Sequence, residues 1–359
     1  MKLSIDQNIP LPKEWLPAQG IEIETFDGRQ LTSAGLQHTD LLFVRSVTQV
    51  NRELLQGSAV RFVGSATAGF DHMIGSQLEE LGIAWSCAPG CNADAVVDYV
   101  LASLARLFID PRKRRVGIVG CGQVGGRLYR RLRQLGVEAL CYDPFLQNSQ
   151  QPGLVELDEL LSSCDLVSLH TPLTRAGAHS TFHMLDARRL GLLKPDSLLI
   201  NAGRGGVIDE QALLQRLRRD QDLRLVLDVW EGEPHISAEL QQYASLATPH
   251  IAGYSSRGKL RGSWMLIHEL NRQLELNWPV PAELPKVFTD MQLAAGLDWR
   301  SAILDLYDPA EDDMRLRDAY EVEKGAGFDR LRRQYPQRAE LSECRVNEPE
   351  LECWGFSRG

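Results

Sequence analysis

Three side chains in the middle of the chain could together carry out acid–base chemistry on a carboxylic acid. Arg204, Glu233 and His250 each follow one of three successive apolar runs. A guanidinium binds a carboxylate through two parallel hydrogen bonds, and an imidazole accepts a hydroxyl proton. A carboxylate on the other imidazole nitrogen fixes the tautomer. Oxidation of a 2-hydroxy acid requires such a set.

Each of these residues also has an ordinary interpretation. A single arginine is most often a solvated surface residue, and a single histidine is most often structural. Among the eight histidines, His250 is the acid–base candidate because it follows Pro249 at a predicted strand end, where open parallel sheets bind ligands. Candidates on successive strand ends favour one shared site over three unrelated residues.

A glycine-rich turn predicts a dinucleotide site. The apolar run 116–119 leads into Gly120, Gly122 and Gly125, with Gln123 and Val124 between the last two, and a helical pattern follows. The first glycine makes the turn, the second admits the pyrophosphate, and the third allows close helix–strand packing. The N-terminus of the helix adds unpaired N–H groups that attract phosphate. An ordinary tight turn is the alternative.

Asp143 indicates which dinucleotide is bound. It lies 18 residues after Gly125, at the end of the next predicted strand. A carboxylate there accepts hydrogen bonds from ribose hydroxyls and repels a 2′-phosphate, which favours NAD over NADP. The alternative is a turn aspartate that precedes Pro144.

Short apolar runs alternate with helical patterns and predict an α/β fold with two parallel sheets, covered on both faces. The predicted strands are 3–5, 21–25, 41–45, 61–65, 84–87, 116–119, 139–142, 166–169, 198–200, 225–229 and 246–247. The predicted helices are 52–55, 74–81, 93–108, 124–135, 157–163, 210–218 and 258–276. The second set of strands matches a doubly wound dinucleotide-binding sheet. The charged tail carries enough apolar residues for a small folded module.

Composition excludes several classes of protein. A formal net charge of −9 argues against a nucleic-acid-binding protein. No apolar run has the length of a membrane span or signal peptide, so we expect no membrane association. The seven cysteines contain no CxxC pair, which favours reduced buried thiols over a metal site or disulfides. We therefore expect a cytoplasmic protein that binds no metal.

The motifs as a set resemble the D-isomer-specific 2-hydroxyacid dehydrogenases. The segments that carry the resemblance are 120–125, 170–173, 201–205, 228–234 and 249–250. The resemblance implies that Arg204, Glu233 and His250 are catalytic, with His250 as the proton acceptor. It also implies a set of NAD contacts, namely Asp143, Thr171, Ala202, Gly203, Arg204, Asp228 and Gly253. The implied fold has two doubly wound, Rossmann-like domains, the NAD domain inserted into the substrate domain, and an active-site cleft between them.

Within this family the closer resemblance is to the branch that oxidises 4-phospho-D-erythronate in pyridoxal 5′-phosphate biosynthesis. It rests on the segments 44–51, 62–69, 88–93 and 250–254, and on 306–308 and 328–332 in the tail. The resemblance implies substrate contacts at Ser46, Thr67 and Tyr254, with Arg45 as a suitable phosphate partner. It also implies a homodimer formed through a small C-terminal α+β module.

The expected domains are a substrate domain at 1–92 and 255–280, an NAD-binding domain at 93–254, and a C-terminal dimerisation domain at 281–359. The sequence leaves two alternative functions. One is another D-2-hydroxyacid dehydrogenase, such as phosphoglycerate dehydrogenase, which shares the core and differs in its substrate. The other is a non-catalytic NAD-sensing scaffold, against which the presence of all three candidate catalytic residues argues.

Overall fold

The structure is a computed structural model that describes residues 1–148, 150–290 and 297–359. The chain divides into two compact units. The first comprises Met1–Asn92 and Ser255–Val287, and the second comprises Ala93–Tyr254 and Phe288–Gly359.

The strands and helices are short and alternate along most of the chain. The strands are Lys2–Asp6 (β1), Glu22–Phe26 (β2), Leu41–Val44 (β3), Phe62–Ser65 (β4), Ala84–Cys87 (β5), Val116–Val119 (β6), Ala139–Tyr142 (β7), Leu166–Leu169 (β8), Ser197–Asn201 (β9), Leu223–Leu227 (β10), Leu246–Ala247 (β11), Thr289–Asp290 (β12), Cys344–Val346 (β13) and Ser357–Arg358 (β14). The α-helices are Arg52–Leu55 (α1), Gly75–Glu80 (α2), Ala93–Arg106 (α3), Gly125–Gln134 (α4), Leu157–Ser163 (α5), Ala187–Leu190 (α6), Glu210–Asp220 (α7), Ala238–Tyr243 (α8), Ser256–Gln273 (α9), Trp299–Leu306 (α10), Pro309–Glu323 (α11), Gly325–Arg333 (α12) and Pro349–Glu352 (α13). Single 3-10 turns cover Lys13–Trp15, Ser33–Leu36, Pro111–Lys113, Gly205–Val207 and Leu341–Glu343.

The first unit is built on a parallel sheet with the strand order β2-β1-β3-β4-β5. Residues of β3 alternate between its faces: Leu41 and Phe43 belong to one apolar cluster, and Leu42 and Val44 belong to another. Helix α9 covers one face, where Leu266 lies in the same cluster as Phe43. Such double coverage explains why β3 is apolar throughout and not alternately polar.

The second unit contains a parallel sheet with the order β11-β10-β9-β8-β6-β7. Its first strand, β6, pairs with β7 on one side and β8 on the other, so chain direction across the sheet reverses there. Open α/β sheets bind ligands outside the carboxyl ends of their strands at such a switch point. A ligand of this sheet is therefore expected at the loops after β6 and β8.

The C-terminal segment packs on the second unit through apolar side chains. Trp299 of α10 and Trp354 stack with ring centroids 3.8 Å apart, and both belong to the cluster that contains Tyr99 of α3. Leu316 and Phe328, from α11 and α12, join the cluster on the opposite side of the sheet. The small parallel sheet β12-β13-β14 completes this segment.

The predicted fold class is confirmed: both parallel sheets form with helices packed on them, and a small α/β segment follows. The predicted strands lie within two residues of the observed bounds, and helix α1 has the predicted bounds 52–55. No helix in the described part of the chain is both long and apolar enough to cross a membrane.

Candidate active site

The predicted cofactor and catalytic residues of the second unit all follow the carboxyl ends of its strands. Gly120 follows β6, Asp143 follows β7, and Thr171 lies two residues after β8. The loop with Arg204 follows β9, Asp228 follows β10, and the loop with His250 and Gly253 follows β11. Because carboxyl ends of parallel strands lie on one edge of the sheet, the fold brings these residues to one side.

The glycine turn has the geometry that the sequence predicts. Gly120 has a φ of +86°, which favours glycine, and a Cβ there would lie 2.8 Å from the Thr171 side chain. A Cβ on Gly125 would lie 2.0 Å from the Gly120 carbonyl oxygen. A Cβ on Gly122, by contrast, would meet no described atom within 4 Å. Two of the glycines thus let the turn pack, while Gly122 faces open space that a ligand can enter.

Asp143 is tied to the glycine turn. Its Oδ2 accepts a hydrogen bond from the Cys121 amide at 3.0 Å, and its Oδ1 accepts one from the Phe145 amide at 3.1 Å. The side chain is half-buried. A carboxylate has about four acceptor positions, so Asp143 can hold the turn and still accept hydrogen bonds from ribose hydroxyls.

Beside the turn, the residues after β8 carry unpaired polar atoms. Thr171 is buried, and its Oγ1 has no hydrogen-bond partner among the described residues. His170 Nδ1 is likewise buried without a partner among the described residues, whereas its Nε2 is 2.9 Å from Ser168 Oγ. Burial lowers the pKa of His170 to about 4. His170 is therefore neutral at physiological pH.

The Arg204 loop is held from both sides. The Asn201 side chain donates to the Arg204 carbonyl at 3.1 Å and accepts from the Gly203 amide at 3.2 Å. A Cβ on Gly205 would lie 1.9 Å from the Trp230 carbonyl carbon, so only glycine permits the observed approach of the two loops. The approach places the Arg204 loop against the loop that carries Glu233.

Asp228 organises the loop that presents His250. It is 1% exposed, and its Oδ1 accepts from Thr248 Oγ1 and from the Ile251 amide, both at 2.7 Å. Its Oδ2 accepts from the Ala252 amide at 2.9 Å. His250 itself has a φ of +56°, a left-handed conformation that is costly for a residue with a side chain. The bonds from Asp228 hold the loop in that conformation.

Glu233 and His250 form the central contact of the site. Oε2 of Glu233 lies 2.7 Å from His250 Nδ1, and Oε1 accepts from the Trp230 amide at 2.9 Å. Burial alone would raise the pKa of Glu233, but His250 and, to a smaller extent, Arg332 outweigh it and hold the pKa below its ordinary value. Glu233 is therefore ionised and fixes a tautomer in which Nδ1 carries the proton.

Glu210, at the start of α7, is hydrogen-bonded to the loop that carries Glu233. Its Oε1 accepts from the Glu231 amide at 2.7 Å. Burial raises the pKa of Glu210 to about 7, and the carboxylates of Glu231 and Glu233 add to that rise. The loop thus rests on a carboxyl group that titrates near neutral pH.

The four predicted substrate contacts are divided between the units. Arg45 and Ser46 follow β3 of the first unit, and Thr67 follows the neighbouring strand β4, where its Oγ1 is 2.8 Å from Ser65 Oγ. Tyr254 belongs to the second unit and packs edge-on against Tyr335 at 5.5 Å between ring centroids. Within the first unit, the predicted contacts lie at the carboxyl ends of adjacent strands.

Sequence reasoning did not predict the roles of Asn201, Gly205 and Arg332. Asn201 and Gly205 lie in the segment 201–205 around Arg204, so their position was a usable signal. Arg332 lies more than 70 residues beyond His250 in a charged tail, and no local pattern distinguishes it from the surface arginines around it.

Comparisons with known proteins agree with this architecture. The sequence model of the D-isomer specific 2-hydroxyacid dehydrogenase NAD binding domain matches residues 101–252. A second model, a domain of unknown function, matches residues 281–353.

Relatives that align over nearly the whole chain show its family. The erythronate-4-phosphate dehydrogenase of Cellvibrio japonicus is 46% identical over 359 residues, which covers 96% of this chain and 94% of that protein. The enzyme of that name from Ectopseudomonas mendocina is 46% identical over 360 residues, with the same coverage. The chain belongs to the erythronate-4-phosphate dehydrogenase family. The resemblance inferred from the motifs is thereby confirmed. Because the chain also carries the NAD binding domain of the D-isomer-specific 2-hydroxyacid dehydrogenases, it is an oxidoreductase.

Solved structures of lower identity show the shared fold. NAD+-bound 3-phosphoglycerate dehydrogenase from Entamoeba histolytica has a TM-score of 0.67 at 22% identity, covering 77% of this chain and 95% of that one. D-Lactate dehydrogenase from Aquifex aeolicus has a TM-score of 0.63 at 21% identity, covering 76% and 95%.

Proposed function

We propose that the protein oxidises 4-phospho-D-erythronate at C2 to 3-hydroxy-2-oxo-4-phosphooxybutanoate with NAD, in pyridoxal 5′-phosphate biosynthesis. The observation that carries the proposal is the 2.7 Å contact between Glu233 and His250. It lies in the same unit as the Arg204 loop and the glycine turn. Names of relatives that align over nearly the whole chain support the choice of substrate.

The residues around the glycine turn fit NAD. Gly122 leaves room for the pyrophosphate, Asp143 can accept from the ribose hydroxyls, and the unpaired Thr171 Oγ1 offers a further polar contact. Gln123, Val124, Ala202, Gly203, Asp228 and Gly253 complete the proposed cofactor contacts. NAD+, when bound, supplies the acceptor for the hydride that leaves C2.

The proton of the C2 hydroxyl passes to His250. Its Nδ1 is engaged by Glu233, so the remaining ring nitrogen, Nε2, is the acceptor. The C2–H electron pair leaves as hydride while the O–H pair forms the new carbonyl bond, which balances the step. Ionised Glu233 stabilises the imidazolium that results.

Arg204 is the proposed partner of the substrate carboxylate, and its loop is positioned by the Asn201 side chain and by the close approach of Gly205 to Trp230. Because a planar guanidinium binds a carboxylate through two parallel bonds, it would fix the plane of the carbon that reacts. Arg45, Ser46, Thr67 and Tyr254 are the proposed contacts for the rest of the substrate. By this assignment 1–92 and 255–280 form the substrate domain, and 93–254 bind NAD.

The deciding experiment compares substrates by the rate of NADH formation. We expect kcat/KM for 4-phospho-D-erythronate to exceed that for 3-phosphoglycerate and D-lactate by at least about 100-fold, because polar recognition discriminates strongly. An equal or better rate with 3-phosphoglycerate would favour a phosphoglycerate dehydrogenase. NAD binding without turnover of any 2-hydroxy acid would favour a non-catalytic scaffold.

We further propose a cytoplasmic homodimer, with residues 281–359 as the dimerisation domain. All seven cysteines are free in the structure, as is usual in a reducing compartment. Sedimentation of the full chain tests the dimer, and a monomer at micromolar concentration would contradict it.

A further inference from the structure

Arg332, on the C-terminal helix α12, lies near the candidate catalytic residues. Its guanidinium forms a hydrogen bond with the Tyr254 side chain, and its charge acts on Glu233. The carbon Cζ lies 5.9 Å from the centroid of the Tyr254 ring and 5.9 Å from that of Phe328. An arginine of the tail thus stands beside a proposed substrate contact and the carboxylate that holds His250.

Packing of α12 explains this position. At the start of the helix, a Cβ on Gly325 would lie 2.7 Å from the His235 ring and 3.3 Å from the Pro234 carbonyl oxygen. His235 follows Glu233 by two residues, so the helix begins against the loop that carries Glu233. Phe328 is fully buried and anchors the helix in the core of the unit.

The Nε atom of Arg332 is buried and has no hydrogen-bond partner among the described residues. The neighbouring Arg330 differs, since its Nε donates to Glu323 at 2.9 Å on the exposed side of the helix. Leaving a charged donor buried and unpaired is costly, and the donor becomes satisfied when an acceptor oxygen reaches it. Burial by itself would lower the pKa of Arg332, but Tyr254 and Glu233 together raise it, so the guanidinium stays charged.

The proposed substrate carries two anionic groups: Arg204 is the proposed partner of the carboxylate, and Arg45 is the one arginine so far assigned to the phosphate. A phosphate dianion has three acceptor oxygens and is usually bound by several donors, arginine being preferred for its planar fork. Tyr254 and Arg332 provide a phenol and a guanidinium that are already hydrogen-bonded to each other.

We propose that Arg332 is a substrate-binding residue that recognises the terminal phosphate, and that the C-terminal segment thereby takes part in substrate selection. The inference rests on the proposed function. It assigns a role in specificity to a segment for which dimerisation alone was expected.

The test compares Arg332→Gln with Arg332→Lys and with Arg333→Gln, a control on an exposed arginine of the same helix. For Arg332→Gln we expect KM for 4-phospho-D-erythronate to rise roughly 10- to 100-fold, the usual effect of losing a charged hydrogen bond. With unphosphorylated D-erythronate, kcat/KM should change less than about 3-fold. Arg332→Lys should recover part of the loss because it keeps the charge, and Arg333→Gln should match the wild type.

Equal losses of kcat/KM on both substrates would show a structural role and overturn the proposal, as would an unchanged KM for the phosphorylated substrate. If Arg332→Gln does not fold, the same comparison is made with Arg332→Lys, for which KM should rise on the phosphorylated substrate alone. A second measurement does not depend on turnover: the binding of inorganic phosphate is measured by the thermal shift that it causes with NAD present. Loss of that shift in Arg332→Gln supports the proposal even if the wild type fails to oxidise 4-phospho-D-erythronate, whereas an unchanged shift contradicts it.

Discussion

Replacing Glu233 by glutamine separates the charge of this residue from its hydrogen-bonding shape. Oε2 of Glu233 lies 2.7 Å from His250 Nδ1, and Oε1 accepts from the Trp230 amide. A glutamine of the same size can keep one acceptor oxygen, but it cannot neutralise an imidazolium. We therefore expect NAD binding to be retained and catalysis to fall.

The size of the effect follows from the contact. Two unit charges about 4 Å apart attract by about 4 kcal/mol at an effective dielectric of about 20. The side chains of His250 and Glu233 are 30% and 19% exposed, and the amide dipole of glutamine replaces part of the interaction. The expected loss of transition-state stabilisation is therefore about 2 to 3 kcal/mol, which corresponds to roughly 30- to 150-fold in kcat.

The assay is steady-state NADH formation at saturating substrate, with NAD affinity measured separately by fluorescence. Glu231→Gln is the matched control, because it lies in the same loop but its carboxylate contacts His183 at 3.0 Å. We expect its kcat to stay within about 5-fold of wild type. A loss below 5-fold in Glu233→Gln, or the same loss in both variants, would refute the role assigned to Glu233.

Three further predictions concern the cofactor site and the loop behind it. Gly122→Ala should keep the melting temperature of the wild type but weaken NAD binding at least about 10-fold. Gly125→Ala should lower the melting temperature, because its Cβ would lie 2.0 Å from the Gly120 oxygen. Equal melting temperatures of the two variants would contradict this prediction. Asp143→Ser should narrow the preference for NAD over NADP, seen in the ratio of their kcat/KM values, and an unchanged ratio would count against the ribose contact. Burial raises the pKa of Glu210 from 4.5 to about 7, so its contribution to folding is full below about pH 4.5 and is lost as the pH rises through 7. Glu210→Gln should remove up to about 3 kcal/mol of that pH-dependent fall, measured by urea unfolding at pH 5 and pH 8, and parallel pH profiles would show that Glu210 is not the group responsible.

Much of the fold could be predicted from the sequence because the central strands are buried on both faces. Such strands are short, mainly apolar runs, and the buried strands 116–119 and 166–169 have the predicted bounds in the structure. The tail was harder to predict. Helices α11 and α12 are rich in arginine and acidic residues, and only separated residues such as Leu316 and Phe328 are buried. A pattern that sparse does not specify which core the helices join.

The candidate site was predictable to the level of which residues follow which strand. The rule that parallel strands present their carboxyl ends on one edge predicted that the Arg204, Glu233 and His250 loops lie on one side of the sheet. The network that holds them was not predictable, because Asp228 bonds to amides more than 20 residues away. Whether Arg204, Glu233 and His250 act as assigned remains a prediction for the kinetic experiments.

By itself, then, the sequence determined the chemical groups and the glycine turn, since both depend on residue type and short-range spacing. Only the tertiary structure decided that Glu233 reaches His250, that Gly205 admits the Trp230 loop, and that Arg332 of the tail stands beside Tyr254. Each of these depends on contacts between residues that are far apart in the chain or belong to different loops. Their distances are set by the packing of whole elements, which no local pattern encodes.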